Sequence, residues 1–150
     1  MGSTGGGAAG QDARAPRGVA ERLGIGEGTL VQQLGHDEDV DTDAVANIAA
    51  VVGELLDEDC DDVVDFVLLW FRDGDGDLVD ALVDARRQLG DDGAIWLLAP
   101  KAGREGHVEP ADVLEAVPTA GLAQTSTISV GPDWTAMRLA APKGARTPRR

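Results

Sequence analysis

The sequence predicts an α/β domain: a three-layer sandwich with a mostly parallel sheet, helices on both faces and a C-terminal antiparallel hairpin. Three observations predict it. Segments 63–71 (VVDFVLLWF) and 94–100 (AIWLLAP) are almost continuously apolar, β-branched and aromatic, the pattern of strands buried on both faces. The stretches between such strands carry apolar residues at helical spacing. Segments 122–130 and 134–141 flank the turn Gly131-Pro132-Asp133, and the first alternates in the way of a half-exposed strand. A chain of 150 residues and 15.6 kDa has the length of one domain and can bury a core of its own.

The elements follow in order. Residues 1–16 are rich in Gly and Ala and bury too little to offset ordering entropy, so a disordered tail is expected there. Val19 and Leu23 lie four apart in a short helix over 18–24, stopped by Gly24. TLVQQL (29–34) reads as a first strand, with two glutamines where a doubly buried strand would be apolar. A polar acidic loop follows Gly35, and Asp41, Thr42 or Asp43 can cap the next helix, 43–56. After strand 63–71 and the loop RDGDGD, Asp77 caps an amphipathic helix over 78–89, ended by GDDG. Strand 94–100 leads through a polar loop to Pro110, which suits a helix start, and to a short helix ended by PTAG. The hairpin closes a single domain over 17–142. Residues 143–150 form a basic tail expected to be flexible.

Charge narrows the function classes. The chain holds 27 acids against 13 bases, net -14. Residues 36–92 hold 19 acids and three bases, so the acidity belongs to the central third. This argues against direct binding to nucleic acid or to an anionic membrane, both polyanions. Even the fully apolar run 66–71 is far short of a membrane span, and the N-terminus lacks the apolar core of a signal peptide. One cysteine excludes an internal disulfide. A cytoplasmic protein is expected.

Local constellations add little catalytic chemistry. Asp73, Asp75 and Asp77 imitate a calcium loop, but Leu78 stands where its sharp turn needs glycine. His36 beside Asp37, Asp39 and Asp41 has no second His or Cys at ligand spacing. The acids around Cys60 disfavour the thiolate that a catalytic cysteine needs. No Ser-His-Asp or Cys-His pattern stands out, and no catalytic or metal-binding residue is assigned. Three candidate features remain. Lys101, Arg104 and His107 follow a strand, where ligands of open α/β sheets bind, and could form an anion or partner loop. Asp57, Glu58, Asp59, Asp61 and Asp62 could form a face that steers a basic protein partner. Trp134, beside the hairpin turn, is expected at the surface as a partner hot spot.

The segments VAERLGI, DVVDFVLLWFRDGDGDLVDALVDA, GAIWLLAPKAGREGHVEPADVLEAVPTAGLAQTSTISVG and DWTAMRLAAPK resemble an actinobacterial family catalogued as domain of unknown function 3052. The same order of elements resembles a reduced class I methyltransferase, a Rossmann-like fold. That resemblance implies a test. A working enzyme of this class needs a Gly-rich turn after its first strand and a ribose-holding acid after its second. Here Gly35 is followed by His36, Asp37, Glu38 and Asp39, and the ribose-holding strand is missing from the order. The expectation is therefore a non-enzymatic binding or regulatory protein on a degenerate methyltransferase-like scaffold, without a cofactor, whose acidic face docks a protein. One alternative is a small-ligand-binding or S-adenosylmethionine-dependent enzyme, with Gly35, His36 and Asp37 facing Asp73 to Asp77. Another is an accessory factor of the transcription machinery.

Overall fold

A computed structural model describes residues 18–142. The elements run α1 (Val19–Arg22), β1 (Val31–Leu34), α2 (Thr42–Val52), β2 (Val64–Trp70), α3 (Leu78–Ala85), β3 (Leu89–Pro100), α4 (Pro110–Thr119), β4 (Ala123–Val130) and β5 (Trp134–Ala140). This is the expected order. The sheet is ordered β1-β2-β3-β5-β4. β1, β2 and β3 are parallel, and β5 is antiparallel to both β3 and β4. The expected tails 1–16 and 143–150 lie outside the described residues.

The doubly apolar strands explain the three layers. Side chains alternate along a strand, so each buried strand feeds two cores. Val67, Leu69, Ile95, Leu97 and Ala99 pack against Leu82 and Ala85 of α3 and Val113, Ala116 and Val117 of α4. Leu68, Trp70, Trp96 and Leu98 pack on the opposite side against Ala20, Ala44 and Ile48 of α1 and α2. A strand polar on alternate positions could serve only one of these layers. The two glutamines of β1 have distinct partners. Gln33 Oε1 accepts the Trp70 indole N–H at 2.8 Å, and Gln32 donates through Nε2 to the Asp57 carbonyl at 3.1 Å.

Three boundaries differ from the sequence reading, each for a backbone reason. α2 stops at Val52, because Gly53 adopts φ 94° and breaks the helix. The freed chain then turns Leu56 back beside β1 as a parallel bridge to Gln32. Leu56 donates to the Val31 carbonyl at 2.9 Å and accepts from Gln33 N–H at 2.7 Å. α3 ends at Ala85, residues 86–88 form a turn, and Leu89 with the GDDG stretch read as the helix stop opens β3. Leu89 and Ala94 pair with Val64 and Phe66, so the Gly90–Gly93 stretch is an irregularity inside the strand. α4 continues to Thr119 with Pro118 in its last turn. A proline so near a helix end removes one N–H and little more.

Leu82 is fully buried at the centre of the α3–α4 layer. Leu82→Ala is expected to lower unfolding free energy by about 2–5 kcal/mol in a urea titration. Leu114→Ala, on the exposed side of α4, is expected to change it by less than about 0.5 kcal/mol.

Candidate functional site

Ligands of open α/β sheets bind beyond the carboxyl ends of the strands. In this chain the ends of β1 and β2 meet one another there. β1 ends at Leu34, and Gly35 turns away with φ 77°. A Cβ at Gly35 would collide with the carbonyl oxygen of Trp70, the last residue of β2. The glycine is therefore needed to bring the ends of β1 and β2 together.

Arg72 fills the junction. Its Nη1 donates to the Gly35 carbonyl at 2.8 Å and the Trp70 carbonyl at 3.1 Å. Nε donates to Asp39 Oδ2 at 2.9 Å, and Nη2 to Asp39 Oδ1. This is a bidentate, charge-assisted pair. Asp75 adds a contact to Nη1 at 3.3 Å and closes its own loop by accepting the Arg72 backbone N–H at 3.0 Å. The guanidinium carbon lies 5.4 Å from the ring centroid of Trp134. Trp134 in turn donates to the Asp39 carbonyl at 3.2 Å and meets Trp70 edge to face, centroids 4.8 Å apart. The hydrogen bonds from Arg72 hold the Asp39 carboxyl below its ordinary range against the opposing effect of burial. The same bonds push the Arg72 guanidinium further up.

Beside this clamp lies a cleft of about 450 Å³, lined among others by Asp39, Arg72, Arg104, Glu105, Asp133 and Trp134. The expected anion loop reaches it with its charges already engaged. Arg104 pairs with Asp133 at 3.0 Å, Lys101 Nζ donates to the Gly131 carbonyl at 3.2 Å, and His107 Nδ1 lies 2.9 Å from the Pro100 carbonyl.

The other candidates fall as follows. His36 and Asp37 are exposed, and Asp37 accepts the Glu38 N–H at 2.8 Å. Loops 35–39 and 72–75 meet through Arg72. Asp77 caps α3 by accepting from Asp80 N–H at 3.1 Å. Among the described residues no group of three His, Cys, Asp or Glu side chains is placed to hold a metal. Asp57, Glu58, Asp59, Asp61 and Asp62 are exposed on the loop before β2. Trp134 corrects the sequence reading. It is 3% exposed, because its ring packs between Trp70 and Arg72, and it offers no surface hot spot. Among the described residues no helix is long and apolar enough to cross a membrane. The sequence reading missed Arg72 and Asp39 as partners. One signal was available: Arg72 is one of three bases among 19 acids.

Two outcomes follow. Gly35→Ala combines a left-handed φ with a backbone collision and is expected to cost at least about 2 kcal/mol in chemical denaturation. Asp39→Asn is expected to cost about 1 kcal/mol or less near pH 7, because its side chain is 53% exposed and screened by solvent. The folded-state pKa of Asp39 is depressed, so its contribution is present above its ordinary value of 3.8 and lost as pH falls below that. The stability gap between wild type and Asp39→Asn should therefore stay constant above about pH 5 and shrink toward zero in the acid limb.

Comparison with known proteins agrees with this architecture. The chain is 56% identical over 125 residues to uncharacterized proteins of Mycobacterium bovis and Mycobacterium tuberculosis, covering 83% of this chain and 78% of theirs. Among solved structures it is similar to a mitomycin 7-O-methyltransferase (9% identity, TM-score 0.57, 77% of this chain), of which it spans 50%. It is also similar to an S-adenosylmethionine-dependent methyltransferase of Aquifex aeolicus (16%, TM-score 0.53, 81% of this chain and 86% of that one). A third is precorrin-6y C5,15-methyltransferase of Geobacter metallireducens (11%, TM-score 0.56, 83% and 86%). Identities this low establish a methyltransferase-like fold and nothing of the reaction. Residues 20–143 match the family described as protein of unknown function DUF3052, and the chain belongs to that family.

Proposed function

We propose that this chain is a non-enzymatic binding or regulatory protein that keeps a methyltransferase-like frame and docks a protein partner through its acidic face. The Arg72 clamp carries the reading. S-adenosylmethionine would have to approach the backbone after β1 and lie across the ends of β1 and β2. The residues present do not fit it. The Cβ side of Gly35 is filled by the Trp70 carbonyl, and the Gly35 carbonyl is held by Arg72 Nη1. Opening that space would break a bidentate ion pair and expose two carbonyls. The exposed acids from Asp57 to Asp62 support the docking half of the reading through electrostatic steering.

A second reading has its own observation. The 450 Å³ cleft beside Arg72 and Arg104 is large enough for a small polar ligand. Such a ligand would compete for cations that already have carboxylate partners.

Calorimetric titration with S-adenosylmethionine is expected to give no heat of binding up to millimolar ligand. Micromolar affinity would overturn the proposal. A thermal-shift series with nucleotides and small carboxylates separates the second reading: a rise in Tm that Arg104→Ala removes would favour the cleft.

A further inference from the structure

On the α3 side of the sheet, β1 is only partly covered. Leu82 and Ala85 of α3 share a core with Val67 and Leu69 of β2, and the loop residues Glu58, Cys60 and Asp61 line a cavity opposite Ala81, Asp84 and Arg87. Between them runs a groove of about 430 Å³. Its floor is apolar: Leu69 from β2, and the half-exposed Leu34 and Ala81. Its rim is acidic: Glu58 and Asp61 on the loop and Asp84 on α3, all exposed. Arg87, the cation on this rim, lies 3.8 Å from Asp84.

A further feature points to an occupant. Gln32 lines the groove and is 4% exposed, the one buried polar side chain among the described residues. Its Nε2 donates to the Asp57 carbonyl, while its Oε1 accepts no hydrogen bond within the described residues. A buried acceptor without a donor is costly, and a donor arriving in the groove relieves that cost.

We infer that this groove is the docking site for a basic amphipathic segment of a protein partner, an inference that rests on the binding-protein reading above. Apolar side chains of the segment cover Leu34, Leu69 and Ala81. Its lysines and arginines face Glu58, Asp61 and Asp84. A lysine or arginine N–H of the segment reaches Gln32 Oε1. An acidic or purely polar peptide meets either the rim charge or an uncovered floor, so the complementarity selects one chemistry.

The probe is a fluorescein-labelled Leu/Lys helical peptide of about 14 residues, long enough to hold a helix on a surface. Anisotropy should report saturable binding, and amide and methyl shifts should centre on Gln32, Leu34, Leu69 and Ala81. The triple reversal Glu58→Lys, Asp61→Lys, Asp84→Lys is expected to weaken binding at least about tenfold. The matched reversal Glu109→Lys, Asp112→Lys, Glu115→Lys, at the N-cap and on the exposed side of α4, is expected to leave it unchanged. Replacing the peptide leucines by serine is expected to abolish binding. All six positions are exposed, and circular dichroism checks that both variants fold. Equal weakening by both triples, undiminished binding of the serine peptide, or no binding at all would each overturn the inference. So would a concentration-dependent dimer lost with the groove triple, which would make a second copy the occupant. These results are separate from the S-adenosylmethionine titration. A peptide that misses the groove leaves the non-enzymatic reading standing, and a bound cofactor ends that reading without moving the peptide.

Discussion

One guanidinium holds the carboxyl edge of this sheet together. Arg72 ties the end of β1, the end of β2, the loop that enters α2 and the loop that enters α3. Each of those segments carries polar backbone or carboxylate groups that would otherwise face one another without a counter-charge. The ring of Trp134 covers the cation, and its indole N–H fixes the same loop through the Asp39 carbonyl. The clamp thus joins the closing hairpin to the first half of the chain. It works because Gly35 has no side chain, so β1 and β2 can end in contact. The carboxyl ends of β1 and β2 are thus held by one electrostatic knot.

The architecture was legible because it rests on burial. VVDFVLLWF and AIWLLAP have no exposed face to declare, and two buried faces require helices on both sides. The closing hairpin declared itself through Gly131-Pro132-Asp133. What was not legible is backbone geometry at glycines. Gly53 could continue or break a helix, and only the φ of 94° decides. Gly90 and Gly93 look like turn residues, yet they lie in an irregular strand pressed against β2. The candidate site was less legible still. Arg72 and Asp39 are 33 residues apart, and local spacing carries no sign of their pairing. Trp134 misled for a related reason: a position beside a turn says little about a ring that reaches back over the sheet.

The two cores are chemically different. The α3–α4 side is built mainly from aliphatic side chains, with Phe71 the one aromatic among its buried residues. The α1–α2 side holds all three tryptophans, and every indole N–H there has an acceptor: Gln33 for Trp70, the Leu23 carbonyl for Trp96 and the Asp39 carbonyl for Trp134. Those bonds fix the rings in orientation as well as in place. The rigid, hydrogen-bonded layer lies beneath the clamp, whereas the groove lies on the aliphatic side, whose contacts are less directional.

The single bridge at Leu56 has a consequence for self-association. A bare outer strand invites pairing with another chain. Along β1 the Val31 carbonyl and the Gln33 N–H are already taken by Leu56, so the ladder is terminated after one rung. The opposite margin, β4, pairs with β5 and presents Gln124, Thr125, Ser126 and Thr127 to solvent. Any fibre or sheet grown from this protein would therefore have a growing end at one flank only, and a blunt one at the other.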